Sequence, residues 1–148
     1  MTHVHHSALC TSDLAESLRF YRDGLGLSVL MDHEFDGGWR TLFDARSDRL
    51  HSVFLGDPQR PDAGIVELVV FDGGMEPGPA DGPPAIGFFL LSMYVDVEAT
   101  LARLAALGLG GTPRRIEAPA PQGPVAMATV RDPDGVLVEL IDAASAAR

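Results

Sequence analysis

One nine-residue block occurs twice in this chain, and that repetition restricts the fold more than any other feature. Pro61-Asp62-Ala63-Gly64-Ile65-Val66-Glu67-Leu68-Val69 aligns without a gap, 72 residues further on, with Pro133-Asp134-Gly135-Val136-Leu137-Val138-Glu139-Leu140-Ile141. Each copy sets a turn ahead of an apolar run broken by a single glutamate. Two other pairs keep the same order. The helix caps Asp13 and Asp96 lie 83 residues apart, and Leu25-Gly26-Leu27 lies 82 residues before Leu107-Gly108-Leu109. Self-similarity at such a spacing means that one supersecondary unit is used twice.

The unit itself can be read from punctuation and periodicity. Val4 to Thr11 reads as a strand, and Ser12-Asp13 with Glu16 three residues after the aspartate forms a capping box that opens a helix. Leu14, Leu18, Tyr21 and Leu25 draw one apolar stripe along it, and Gly24 and Gly26 end it. Leu27–Asp32, Arg40–Phe43, Leu50–Leu55 and Ile65–Phe71 are strand candidates, one more than the unit takes after its helix, and the first half, residues 3–72, is read as β-α-β-β-β. Residues 73–85 are too rich in Gly and Pro for regular structure and form a linker. In the second half, residues 86–142, the order returns. A strand runs from Phe88 to Val95, and a helix capped by Asp96 carries Val97, Leu101, Leu104 and Leu107. Strands follow near Arg115–Glu117, Val125–Arg131 and Val136–Ile141, and the tail Asp142–Arg148 is Ala-rich.

Composition narrows the function classes. At 148 residues and 46% hydrophobic content the chain suits one domain with a sizeable core. Its net charge is −10, and all 11 basic residues are Arg. Such a surface repels phosphate backbones and anionic lipids, so neither nucleic acid nor membrane is an expected partner, and a small molecule is. No apolar run approaches the roughly 20 residues of a membrane span. No secretory signal is expected either, and the one cysteine, Cys10, permits neither an internal disulfide nor a multi-cysteine zinc site, which together point to the cytoplasm. Gly37-Gly38 and Gly110-Gly111 lack the pattern of a phosphate-binding loop, so no nucleotide cofactor is expected.

His6-Ser7-Ala8-Leu9-Cys10-Thr11-Ser12-Asp13-Leu14, then Phe20-Tyr21-Arg22-Asp23-Gly24-Leu25-Gly26-Leu27, resembles the opening of vicinal oxygen chelate proteins, the superfamily of glyoxalase I, bleomycin resistance protein and extradiol dioxygenase. Arg131-Asp132-Pro133-Asp134-Gly135-Val136-Leu137-Val138-Glu139-Leu140 resembles their closing hairpin. The resemblance implies an α+β fold in which two tandem βαβββ modules form a cupped mixed sheet, with helices outside, a ligand in the cup and, commonly, a homodimer. It also implies one divalent metal held from the first and last strand of each module. Carried over, those positions are His6, Glu67, Phe89 and Glu139, the third by counting back seven residues from Asp96 as His6 lies seven before Asp13.

Phe89 has no lone pair to give a metal. Two readings stay open. A reduced site of His6, Glu67 and Glu139 can still hold Zn, Fe, Ni or Mn with water or substrate completing it. Alternatively the site has lost its metal and become an organic-ligand pocket, as in the antibiotic-sequestering branch. Alternation along the strands turns Ala8 and Cys10 inward with His6, and Leu91 and Met93 inward with Phe89, so the second half of the cup is apolar beside the imidazole of the first, which suits a ligand with an apolar or aromatic body and one polar end. His5, next to His6, is expected to point away.

Glu67 and Glu139 are the candidate general bases, since a carboxylate amid apolar neighbours is suited to proton transfer. His33, Trp39, Arg40 and His51 are candidates for contact with substrate. The expected function is therefore a glyoxalase-like enzyme that moves a proton beside a carbonyl, as an isomerase, epimerase or lyase, or else a metal-free binding protein. The missing second-half histidine argues against glyoxalase I and extradiol dioxygenase chemistry.

Overall fold

The computed structural model describes residues 1–78 and 82–146. Residues 79–81 of the Gly/Pro-rich linker and 147–148 of the Ala-rich tail lie outside the described residues. Packing divides the chain into two units, one formed by Met1–Arg22 and Gly26–Gly78, the other by Asp23–Leu25 and the described residues from 82 onward. The fold is α+β, with two mixed four-stranded sheets built on one plan.

In the first unit, β1 (His6–Cys10) leads into α1 (Leu14–Leu18), which widens into a π-helical turn over Arg19–Gly24. β2 (Ser28–Asp36), α2 (Trp39–Phe43), β3 (Arg49–Gly56) and β4 (Ile65–Phe71) follow, and the sheet order is β1-β4-β3-β2. β1 and β4 are parallel, which requires the crossover that α1 provides, and the other neighbours are antiparallel. Asp13 accepts from the Glu16 amide at 3.1 Å, as the cap predicts. The reciprocal half of the capping box is replaced, because the Glu16 carboxylate pairs with Arg19 at 2.9 Å instead.

The second unit repeats the plan with β5 (Leu91–Val95), α3 (Val97–Ala106), β6 (Arg114–Ala118), β7 (Val125–Arg131) and β8 (Leu137–Asp142), in the order β5-β8-β7-β6. The Asp96 carboxylate accepts from the Ala99 amide at 2.9 Å and starts α3. Val97, Leu101 and Leu104 are buried on the inner side of α3, against the sheet face that carries Leu91, Ala128, Val130, Val138 and Leu140. In the first unit Leu9, Val53, Leu55, Val66 and Leu68 form the corresponding layer, with Thr11 and Ser17 sharing a buried 2.6 Å hydrogen bond. Among the described residues, no helix is long and apolar enough to cross a membrane.

Two elements depart from the sequence expectation. Arg40–Phe43 is helical, as part of α2, because the Asp48 carboxylate accepts from the Arg40 amide at 2.9 Å and Trp39 stacks on Phe43 one turn later. Phe88–Leu90 lies outside any strand, and β5 begins only at Leu91.

Candidate functional site

Strand register fixes which side chains share a face. In the first sheet Ala8, Glu67, Phe54 and Met31 form one cross-strand row, and Cys10, Val69, Ser52 and His33 form the next. Directly paired residues point the same way, so the face of Glu67 also carries His6, Ser52, Phe54 and His33. The helix-covered core lies on the opposite face.

Glu67 is held at both oxygens. Ser52 Oγ donates to Oε1 at 2.8 Å, and His6 Nε2 stands 3.1 Å from Oε2. Ser52 is 2% exposed, whereas the Glu67 side chain retains 14% of its accessibility and His6 is more open. The carboxylate therefore has an anchored end and an end turned to the reachable side of the sheet. The His6 ring lies 5.4 Å from the Phe54 ring, which fixes its tilt. Burial first, and the nearby Glu67 charge second, push the Cys10 thiol above its ordinary pKa.

His5 does not point away from His6. It precedes the first strand residue, so strand alternation does not govern its side chain, and its Nδ1 lies 2.8 Å from His6 Nδ1 with its ring 5.9 Å from Phe54. Ser52 and His5 are the neighbours that sequence reasoning missed. The available hint for Ser52 was a hydroxyl set against the apolar run Val53-Phe54-Leu55 of β3.

In the second unit Glu139 has the same place. Ser92 pairs with it in register, as Ala8 does with Glu67, and Ser92 Oγ donates to Glu139 Oε1 at 2.8 Å. Thr129 and Arg114 complete that cross-strand row. The surroundings of the two glutamates thus differ, with imidazole and aromatic rings around the first and hydroxyls with a guanidinium in the row of the second.

This register corrects the placement of Phe89. From Ala8 to Ser92 the shift is 84 residues, so the counterpart of His6 is Leu90. Counting from the caps goes astray because Thr11 and Ser12 separate β1 from its cap while Val95 adjoins Asp96 directly. Neither Leu90 nor Phe89 has a lone pair to give. Phe89 is half exposed outside the strand, and Leu91 and Met93 point to the face opposite Ser92 and Glu139, with Leu91 buried. They do not gather beside a glutamate.

Of the other candidates, His33 shares the Glu67 face and its ring lies 4.7 Å from that of Phe35. His51 is on the reverse face, bonded to Asp32. Trp39 and Arg40 stand on α2. The Trp39 indole is stacked on Phe43 at 5.7 Å, and Arg40 Nε is 4.0 Å from the Asp48 carboxylate.

The donors do not complete a metal site. His6 and Glu67 supply two, the second carboxylate oxygen already takes the Ser52 hydroxyl, and the second imidazole nitrogen already faces His5. Among the described residues, no group of three His, Cys, Asp or Glu side chains stands ready to hold an ion. A divalent ion here would have to draw further donors from outside this cluster. What the arrangement can do unaided is hold a carboxylate and an imidazole side by side at a reachable surface.

Comparison with known proteins agrees with the architecture. The family model described as the Glyoxalase/Bleomycin resistance protein/Dioxygenase superfamily matches residues 3–140. A lactoylglutathione lyase-like protein of Aspergillus terreus, terB, is 41% identical over 145 residues, which covers 93% of this chain and 74% of the relative. A lactoylglutathione lyase of Haemophilus influenzae is 32% identical over 142 residues, covering 94% and 91%. Among solved structures, a glyoxalase family protein from Bacillus cereus superposes with a TM-score of 0.72 at 17% identity, covering 96% of this chain and 94% of that one.

Proposed function

Because the chain belongs to the Glyoxalase/Bleomycin resistance protein/Dioxygenase superfamily, we propose that it is a glyoxalase-like enzyme that moves a proton beside the carbonyl of a small metabolite, with Glu67 as the base. The observation that carries this reading is the grip on Glu67, whose Oε1 is anchored by Ser52 while Oε2 faces the His6 imidazole at 3.1 Å. The lyase names of its relatives support an enzyme and leave glyoxalase I chemistry open.

Glu67 Oε2 takes the proton from the carbon next to the carbonyl. The electrons of the broken C–H bond move onto the carbonyl oxygen, where the His6 Nε2–H donates a hydrogen bond to the developing enolate. Return of the proton to the same carbon from the other face gives epimerisation; in an α-hydroxy carbonyl compound, its delivery to the former carbonyl carbon, with the hydroxyl proton moving to the first oxygen, gives isomerisation. Where the carbon β to the carbonyl carries a leaving group, the enolate electrons return to form the α,β double bond, the group departs with its electron pair, and the reaction is a lysis. Ser52 touches no reacting atom and positions the carboxylate. Glu139, bonded to Ser92, is the second carboxylate of the reading. The substrate is a small molecule, the resemblance that implies the chemistry also implies a homodimer, and the single cysteine fits a reducing compartment such as the cytoplasm.

The test is exchange of solvent deuterium into the positions flanking the carbonyl of 2-tetralone, an uncharged ketone, followed by NMR. Wild-type protein should catalyse it, and Glu67→Gln and His6→Gln should each lower the rate by about 100-fold or more. Saturable binding without any exchange would instead make the protein a sequestering one.

A further inference from the structure

The Glu67 face ends in an aromatic corner that the proton transfer does not use. Phe43 stacks on Trp39 with planes 10° apart, and it meets Phe71 nearly at a right angle, 78°, at 6.1 Å. Phe71 lies on the same face as Glu67, four residues along β4, which is about 13 Å at the usual strand rise. Two strands away on β2, His33 is level with Val69, midway between them, and Phe35 is level with Phe71.

This corner is built and held although it is left open. Phe43 is 56% exposed and Leu42 67% exposed. Even so, α2 is pinned at its start by Asp48, and the Trp39 indole donates to the Phe35 carbonyl at 3.3 Å. The indole also lies over Gly37, where a Cβ would come within 2.9 Å of Trp39 Cζ2, so the absent side chain makes the room it occupies. Fixed, accessible rings beside convergent polar groups are the composition of a small-molecule site.

Charge restricts the occupant. The strands of this face carry Glu67 and no Arg, and the chain has no Lys. The nearby guanidiniums are engaged elsewhere: Arg40 faces Asp48, Arg46 faces Glu76, and Arg49 faces Glu34, Asp36 and Asp72. An anionic ligand would meet the glutamate with no free guanidinium or ammonium on the strands of this face to offset it.

We propose that the Glu67 face of the first unit binds an uncharged carbonyl compound of at least two fused rings, its flat far ring seated against Phe43 and Phe71 and its carbonyl end at His6 and Glu67. The proposal rests on the reading of Glu67 as base only for which end of the ligand reacts.

Trp39 is the sole tryptophan, so its fluorescence reports occupancy without any turnover. With 2-tetralone as probe, wild-type protein should show saturable quenching. Phe43→Ala should weaken the affinity about threefold to tenfold, and Gly37→Ala, which displaces the indole, should weaken it as well. Glu67→Gln should keep the quenching while losing deuterium exchange, so a failure of the base assignment leaves the binding result intact. S-benzylglutathione, which carries a ring on an anionic body, should bind at least tenfold more weakly than 2-tetralone. Absence of saturable quenching, quenching unchanged in Phe43→Ala, or tighter binding of the glutathione conjugate would each overturn the proposal. So would a Phe43→Ala effect confined to the sedimentation of the protein, which would assign the corner to a second copy of the chain.

Discussion

Replacing Ser52 by Ala removes one hydroxyl and tests whether Glu67 is an anchored carboxylate or merely a passing surface charge. Ser52 is 2% exposed and donates to Glu67 Oε1 at 2.8 Å. A hydrogen bond to an ionised group contributes about 1.5–3 kcal/mol. Water reaches the outer edge of this carboxylate, which keeps 14% of its side-chain accessibility, so the lower half of that range applies, about 1.5–2 kcal/mol. For a chain of this size that corresponds to a fall in Tm of about 3–8 °C. The assay is a double-mutant cycle in urea over wild type, Ser52→Ala, Glu67→Ala and the double variant, because the His6 contact cancels between the two Glu67→Ala arms. A coupling energy of about 1–2 kcal/mol is expected. A value within 0.3 kcal/mol of zero, roughly the scatter of independent sites, would refute the anchoring and with it the argument that Ser52 positions the base.

Three other outcomes follow from the same geometry. Alkylation of Cys10 by iodoacetamide near neutral pH should run slower than that of free cysteine, since a raised pKa leaves less thiolate; the Glu67→Gln variant, freed of the carboxylate's charge, should react faster and titrate lower. Protein purified without chelator should contain well under one equivalent of metal by elemental analysis, and its tetralone exchange should survive EDTA; a stoichiometric ion whose removal abolishes exchange, and which is lost in His6→Ala, would show that donors outside the His6–Glu67 pair complete a site. Asp96→Ala deprives the Ala99 amide of its acceptor and should lower stability by about 1 kcal/mol, visible as a lower urea midpoint at unchanged slope.

The duplicated unit was legible because its signals are local. Glycine, proline and aspartate set caps and turns by their own backbone preferences, and the matched glutamates sit on strands whose alternation is a property of any extended chain. The sequence alone thereby determined the element order apart from α2, the α+β class, the caps at Asp13 and Asp96, and the presence of one glutamate at an equivalent strand position in each half. Tertiary structure decided the rest. Arg40–Phe43 became a helix because a distant carboxylate, Asp48, caps it and two rings stack across one turn. Leu90 replaced Phe89 as the counterpart of His6 because strand register depends on the partner strand, not on the distance to a cap. Ser52 came to Glu67 and His51 went to the opposite face, since pairing among β1, β4, β3 and β2 joins residues that lie far apart in the chain, while His5 came to His6 because it stands ahead of the first strand residue, where alternation does not govern it. Periodicity fixes which way a side chain turns on its own strand; only the pairing of strands fixes what it meets.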